Sequence, residues 1–253
     1  MSHSPGRWQG IVLPLLALVA AEAALRVRPT QSDVIAAPTA ILRAFLRACA
    51  DATLLQATAQ TLLATGGGLL IGAGGGLVAG VLLGLSRPAA ARASLLVELL
   101  RPLPSVALIP VALLVFGFGY RLEIAVIGFA VFFPMLLLAT AAVRAVPQRL
   151  VEVSVILRLS AWSRVRKVML PAALPRLFVA LRLCVGIALV VAVTTEIASN
   201  PQGLGFALLS AQQSLAPDLM LAILLWIGVL GWGINNLLLQ LEQRWFNAQL
   251  DKE

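Results

Sequence analysis

The chain has 253 residues, of which 60% are hydrophobic and only 12% are charged, and its formal net charge is +8. A soluble domain is nearer half apolar and a quarter charged, so this composition excludes an ordinary soluble protein and indicates an integral membrane protein. The two cysteines and the single histidine, His3, have no ligand-like spacing, which leaves no candidate metal or haem site.

Six apolar runs predict an all-α protein with six membrane-spanning helices, because a helix needs roughly 20 apolar residues to cross a bilayer. The predicted spans cover residues 10–25, 54–85, 94–116, 122–143, 177–199 and 218–240. They form one transmembrane domain, residues 10–253, after a polar tail over residues 1–9. The first run can also be interpreted as a signal peptide, because Ala21–Ala23 has the small-x-small pattern of a cleavage site.

The distribution of positive charge predicts the orientation of the spans. Lys and Arg cluster in two connections, residues 86–92 and 144–176. Positive charge favours the cytoplasmic side, so both clusters and both termini of a six-span protein are predicted to be cytoplasmic. A short amphipathic helix predicted from Pro38 to about Ala50 opposes this rule, since its Arg43 and Arg47 would then lie outside. Clustering between spans also explains the net charge without nucleic-acid binding.

The second predicted span carries a row of glycines, each four residues after the last. The members of this glycine row are Gly68, Gly72, Gly76, Gly80 and Gly84. Residues four apart lie on one ridge of a helix, and in membranes such small-residue ridges let two backbones approach closely. A phosphate-binding loop would need a following Gly-Lys-Ser/Thr, which this stretch lacks. The row therefore predicts a helix-packing surface.

Prolines predict breaks in the third and fourth spans. The third contains Pro102, Pro104 and Pro110 and must kink or open locally, because proline lacks the N–H donor and clashes one turn back. Such a break survives in a membrane only against protein or a water-filled cavity. The fourth span is expected to bend at Pro134.

Charged residues within or near the spans are candidates for a translocation path, because charges in membranes are costly and usually mark function. The candidates are Arg101, together with Pro104 at the predicted break, Glu123 and Glu196. For Glu196, a role at the outer mouth and plain interfacial placement both stay open. Glu98 is expected to pair with Arg101 three residues away, and Arg182 to extend its side chain to the cytoplasmic interface.

The connection over residues 144–176, called here the basic segment, holds seven of the nineteen Lys and Arg residues and one acid, Glu152. Two short helices are predicted in it, Leu150–Leu157 and Trp162–Met169, and Pro171 and Pro175 close the second one. One interpretation is a docking surface for a partner. The alternative is a solvated loop whose only role is to set topology.

Three stretches resemble the permease subunits of ATP-binding-cassette importers, in the group serving nitrate, sulfonates and taurine. They are LRPLPSVALIPVALLVFGFG at Leu100–Gly119, FFPMLL at Phe132–Leu137, and Glu152–Pro175. The last resembles the family's ATPase-coupling signature, with Glu152 at its glutamate, Val153 and Ser154 at its alanines, and MLPAALP at its ending. Arg158 stands at the signature's glycine. An arginine there implies a helical turn, or a left-handed conformation costing of order 1 kcal/mol.

The resemblance implies a type I ABC importer permease fold in a bacterial cytoplasmic membrane. It implies a second permease copy, as a homodimer, two ATPase subunits, and a periplasmic or lipid-anchored substrate-binding protein. The residues that the resemblance assigns to the ATPase interface are Glu152, Val153, Ser154, Leu157, Arg158, Leu159, Ser160, Ala161, Trp162, Arg164, Arg166, Lys167, Leu170 and Pro171.

The sequence also limits the chemistry that this chain could perform. It has no Gly-x-x-x-x-Gly-Lys-Ser/Thr, so ATP and Mg are expected to be bound and ATP hydrolysed by a partner while this subunit transports by alternating access. An intramembrane enzyme would need His, Ser-Lys or Asp pairs within the spans, and none stands out. A secondary transporter driven by an ion gradient is the alternative function, although the paired broken helices of repeated halves are not evident.

Overall fold

The computed structural model describes residues 16, 19–20, 22–25 and 36–250, with side chains as far as residue 244. Over residues 36–250 every regular element is a helix, which confirms the predicted all-α class. The helices are α1 Pro38–Ala50, α2 Thr53–Leu85, α3 Arg87–Leu100, α4 Ser105–Phe116, α5 Tyr120–Arg144, α6 Gln148–Ile156, α7 Ala161–Ser199, α8 Gly203–Gln213 and α9 Pro217–Leu250.

Within the described residues, four helices are long and apolar enough to cross a membrane, namely α2, α5, α7 and α9. Helices α3 and α4 make a fifth crossing if the pair counts as one span, bent by 77° at the break that contains Pro102 and Pro104. The sequence predicts a kink at these prolines for the reason given above. The tail over residues 1–9 and most of the first predicted span lie outside the described residues.

Helix α2 packs along α5 through the glycine row, and the contacts show that the two helices run in the same direction. A side-chain carbon added at Gly68 would meet Ile127, and one added at Gly84 would lie 2.7 Å from the Cβ of Val143. Two spans can run in the same direction only if the chain crosses the membrane an odd number of times between them. The bent pair α3 and α4 makes that crossing.

The glycine row stays against α5 because α2 does not have one regular pitch. Residues four apart drift by about 40° per step around a helix of 3.6 residues per turn, or about 160° over four steps. A π turn occupies Leu69–Ala73, and its wider hydrogen bonding winds the chain through fewer degrees per residue. This turn offsets part of the drift and keeps Gly72 against the backbone of Gly128.

Helix α7 begins earlier than the sequence predicts. The span expected from residue 177 and the short helix Trp162–Met169 are one continuous helix, Ala161–Ser199. A π turn over Val165–Met169 precedes Pro171, and such local widening lets a helix accommodate proline's missing donor. The basic segment therefore continues into the membrane without a break at Pro171 or Pro175.

The main core lies where α2, α5 and α7 meet. Its buried residues include Ala64 of α2, Ile127 and Val131 of α5, and Cys184 and Ala188 of α7. A second cluster joins α1 and α8 to the first turn of α2 and to α9, and a third joins the end of α5 to Ala173 and Leu177 of α7. Helices α5 and α7 are antiparallel in this arrangement. One end of the bundle thus holds the starts of α5 and α9, and the other holds the basic segment.

Candidate functional site

The basic segment presents an apolar surface that nothing in the described chain covers. Its exposed side chains include Val153, Val155, Ile156 and Leu157 at the end of α6, and Trp162 at the start of α7. Ile156 and Trp162 are 78% and 72% exposed. We refer to these five side chains as the apolar knob. Exposed apolar surface of this kind is compatible with a docking surface, so the prediction of an ATPase interface here stays a prediction.

The turn between α6 and α7 is fixed by a helix-ending motif centred on Arg158. The Arg158 N–H donates to the Val155 carbonyl at 2.9 Å, and the Leu159 N–H donates to the Ser154 carbonyl at 3.1 Å. This is the Schellman pattern, in which the residue after the helix cap adopts the left-handed conformation and is usually glycine. Arg158 has a φ of 52°. Of the two conformations expected for an arginine at this position, Arg158 therefore adopts the left-handed one, which carries a conformational cost.

The remaining residues of the predicted interface lie on both faces of this turn. Ser160 caps α7, its Oγ accepting from the Ser163 N–H at 3.3 Å. Ser154 lies on the buried face of α6, whereas Leu170 packs against the cluster at the end of α5. The exposed members of the interface are Glu152, Arg158, Ser160, Ala161, Arg166, Lys167 and Pro171, and Leu159 and Arg164 are half-buried. Basic side chains thus border the apolar knob.

At the opposite end of the bundle, Glu123 and Glu196 belong to one buried polar cluster. Their side chains are 0% and 1% exposed. The Asn200 Nδ2 donates to Glu123 Oε1, and the Gln202 Nε2 donates to the same oxygen at 3.2 Å. The Asn200 Oδ1 in turn accepts from the Gly119 N–H at 2.7 Å. These bonds connect the start of α5 to the loop after α7.

Glu196 connects its own helix, α7, to the start of α8. Its Oε2 accepts from the Gly205 N–H at 2.7 Å, and its carboxylate lies directly against Gly203. Gly203 has a φ of +86° and no room for a Cβ, so glycine is required there for both reasons. The Gly203 and Leu204 N–H groups donate to Gln60 and Thr61 of α2. Together with the bonds to Glu123, these contacts hold α2, α5, α7 and the loop after α7 together.

The other two predicted path residues lie far from this cluster. Arg101 follows the end of α3 and lines a groove of about 600 Å³ with Glu98 and Arg144. Arg144 is 21 residues along α5 from Glu123, so the two sites are about 30 Å apart. Pro104 lies at the same break as Arg101. The pairing predicted between Glu98 and Arg101 is wrong: both residues are described, and no ion pair joins them although the Arg101 backbone is still helical.

Arg182 has a partner that the sequence did not indicate. It forms an ion pair with Glu242 of α9, and the Nη1–Oε2 distance is 3.1 Å. That its side chain reaches the cytoplasmic interface stays a prediction. Sequence reasoning missed Glu242, Asn200 and Thr61 as partners. The i, i+4 spacing of Glu196 and Asn200 is the one signal in the sequence that could have indicated a shared site. The remaining partners come from distant parts of the chain.

Comparisons with known proteins place these features in a family. The family model described as the binding-protein-dependent transport system inner membrane component matches residues 74–252. The taurine transport system permease protein TauC of Escherichia coli is 31% identical over 194 residues, which cover 77% of this chain and 70% of that protein. The bicarbonate transport system permease protein CmpB of Synechococcus elongatus is 34% identical over 168 residues, covering 66% and 60%.

A solved structure shares the fold. One chain of the inward-facing MetNI methionine ABC transporter superposes with a TM-score of 0.63 and 21% identity, covering 83% of this chain and 99% of that one. The matched segments span 63% and 60% of the length of the first curated relatives. The resemblance stated from the sequence is confirmed. The chain belongs to the family of binding-protein-dependent transport system inner membrane components.

Proposed function

We propose that this chain is the membrane-spanning permease subunit of an ATP-driven importer that moves a small solute by alternating access. The observation that carries the proposal is the apolar knob. It is exposed, it is bordered by basic residues, and its Trp162 lies at the start of the helix that reaches the buried cluster at Glu196 on the other side. Family membership and fold support the same function.

The proposed solute is a small anion or zwitterion of the nitrate, sulfonate or taurine kind. This proposal is supported by relatives whose names specify taurine, bicarbonate, aliphatic sulfonates and nitrate. The proposed partners are ABC ATPase subunits, which bind ATP and Mg, a substrate-binding protein on the outer side, and a second permease copy. Helix α3, which buries none of its residues within the single chain, supports a second copy as the covering partner.

Stimulation of a partner ATPase tests this function. We expect the chain, reconstituted in liposomes with its ATPase and binding protein, to raise substrate-dependent ATP hydrolysis several-fold over the ATPase alone. Hydrolysis that does not respond to the permease would contradict the assignment. Solute uptake driven by an imposed ion gradient without the ATPase would instead establish the alternative, a secondary transporter.

We propose further that the basic segment faces the cytoplasm and the buried cluster faces outward. The ends of α2, α5 and α6 bring Arg87, Arg92, Arg144 and the basic segment to one end of the bundle, which the positive-inside rule assigns to the cytoplasm. Arg43, Arg47 and Arg121 lie toward the other end and oppose the rule, in smaller number.

Cysteine labelling from outside intact cells checks this orientation. Ala161→Cys and Pro201→Cys place thiols at exposed positions at opposite ends of α7. A membrane-impermeant maleimide is expected to label position 201 and to label position 161 only after the cells are permeabilised. The reverse pattern would overturn the orientation.

A further inference from the structure

The buried cluster contains two carboxylates that have no positive partner. Glu123 and Glu196 are almost fully buried, and neither forms an ion pair with a described residue. One oxygen of each accepts hydrogen bonds, from Asn200 and Gln202 in the case of Glu123 and from Gly205 in the case of Glu196. The other two oxygens, Glu123 Oε2 and Glu196 Oε1, are buried, and no donor of the described chain reaches them.

The helices packed around the cluster bring no positive charge to it. Helices α2 and α8, which supply its other side chains and backbone groups, contain no charged residue. The titratable side chains at this end of α1, α5 and α9 are Arg43, Arg47, Asp51, Tyr120, Arg121 and Asp218. All of them are exposed except Asp218, which is half-buried, and no hydrogen bond or ion pair of the described chain joins them to either glutamate.

A proton on Glu196 would satisfy this arrangement better than an ionised pair. An ionised carboxylate can only accept hydrogen bonds, whereas a protonated one also has an O–H donor. Burying a carboxylate without a positive partner costs far more than burying a neutral carboxyl group. Glu196 has one N–H donor and Glu123 has two amide donors, so Glu196 is the less well stabilised as an anion. Its negative charge also acts on Glu123, which a proton would relieve.

Three backbone amides at the start of α8 depend on the same cluster. The N–H groups of Gly203, Leu204 and Gly205 donate to Gln60 Oε1, Thr61 Oγ1 and Glu196 Oε2, at 3.0, 2.9 and 2.7 Å. The first N–H groups of a helix have no partner within the helix itself. We call the cluster closed when these three bonds are made. If it opens, the three amides and the Glu196 carboxylate become accessible to water together.

From this arrangement we propose that Glu196 binds a proton when the cluster is closed and releases it when the cluster opens. On closure, a proton from water forms an O–H bond with the carboxylate. On opening, that bond breaks and the proton returns to water. The closed cluster then binds one proton more than the open one, so a rise in pH favours opening. The inference goes beyond the proposed function, because it makes the contact between α7, α8 and α2 sensitive to pH.

Hydrogen–deuterium exchange of the full chain in lipid nanodiscs measures this opening directly. Peptides covering residues 200–207 are followed by mass spectrometry from about pH 6 to about pH 9, with correction for the intrinsic exchange rate at each pH. We expect the protection of the amides at 203, 204 and 205 to fall by about 3- to 10-fold per pH unit, tenfold being the limit for one linked proton. Amides around Val131 and Ala188 in the main core should show no such fall.

Three variants assign the proton to one carboxyl group. Glu196→Gln keeps an oxygen for the Gly205 N–H and adds an N–H donor where the protonated carboxyl has its O–H. It should therefore keep the three amides at their low-pH protection throughout the series. Glu123→Gln should retain a pH dependence, because Glu196 is still present. Asp218→Asn is the matched control, a half-buried carboxylate at the same end that has no bond to the cluster, and it should behave like the unsubstituted chain.

Several results would overturn the proposal, and the first needs no variant. Protection that does not change with pH in the unsubstituted chain excludes a linked proton. A pH dependence that persists in Glu196→Gln places the proton elsewhere. Protection lowered about tenfold or more at pH 6 in Glu196→Gln, with the core amides unchanged, would make the ionised carboxylate the structural form. Protection that follows sodium concentration at constant pH, with choline as the control ion, would assign the site to a metal ion.

The proposed function and the proton site fail in different ways, because the exchange measurement needs neither the ATPase nor a solute. A chain that stimulates its ATPase but shows no pH-dependent exchange at residues 203–205 is an importer subunit without this site. A chain that shows the dependence but fails to stimulate the ATPase retains the site, and the importer assignment is then wrong.

Discussion

Replacing Gly76 with leucine is expected to destabilise the protein by about 1–3 kcal/mol, the usual cost of overpacking a close contact. A Cβ at this position would lie on the carbonyl oxygen of Phe132, 3.0 Å from the Cβ of Met135 and 3.2 Å from the backbone nitrogen of Leu136. Backbone atoms of a helix cannot move aside as the end of a flexible side chain can. Helices α2 and α5 must therefore separate, and the main core around Val131 and Cys184 would open with them.

Gly74→Leu provides the matched control for this experiment. Gly74 lies two residues away on the same helix, but a Cβ there meets no atom within 4 Å. Its replacement should leave stability unchanged or raise it, because leucine has the higher helix propensity. Thermal stability of the detergent-purified protein, followed by fluorescence-detected size exclusion, measures both variants. Equal stability of the two variants would mean that the glycine row does not form the contact described here.

Loss of the apolar knob is expected to uncouple ATP hydrolysis from transport. Trp162→Ala removes its largest exposed side chain, and truncating an interface aromatic costs about 2 kcal/mol, roughly 30-fold in affinity for the ATPase. Glu152→Ala should lower transport-linked ATP turnover as well, with insertion and folding intact, because Glu152 is exposed. Both are measured as substrate-dependent ATPase activity in proteoliposomes, next to the thermal stability of each variant.

Arg158→Gly is the control that changes the same turn in the favourable direction. Glycine adopts a φ near 52° without a steric cost, so the Schellman turn should gain up to about 1 kcal/mol. Coupling should be unchanged or improved. If Glu152→Ala, Trp162→Ala and a scramble of residues 158–166 all leave transport intact, the basic segment only sets topology.

The fold is predictable from local patterns, and the departures from it follow from interactions that local patterns do not contain. Apolar length predicts the spans, the prolines at 102 and 104 predict the bent pair, and the spacing of the glycine row predicts close helix packing. The π turns at Leu69–Ala73 and Val165–Met169 have no such signal. They arise where a helix has to satisfy packing or proline geometry, and the second one makes α7 continuous where the sequence predicts a break.

The candidate sites likewise differ in how much of them is local in sequence. The basic segment is contiguous in sequence, so its residues can be recognised together. The buried cluster joins Thr61, Glu123 and Glu196, which lie far apart in the chain. The ion pair between Arg182 and Glu242 spans 60 residues. Reasoning one span at a time assigns each of these charges to its own helix. For that reason it predicts that Glu98 pairs with Arg101 on the same helix, and it does not indicate Glu242 as the partner of Arg182.

The continuity of α7 has a mechanical consequence. One helix carries Trp162 at the end that bears the basic segment and Glu196 near its other end, 34 residues apart and therefore separated by about 50 Å. If it turns as a rod about the Trp162 end, a tilt of about 5° displaces Glu196 by about 4 Å, more than the length of the hydrogen bonds that hold the buried cluster together. A movement imposed on the knob can thus break or restore bonds at the far side of the membrane without any intermediate partner. Such a rod can bend at the π turn over Val165–Met169 and at Pro175. The stiffness of these two places therefore sets how much of a movement at Trp162 is transmitted to Glu196.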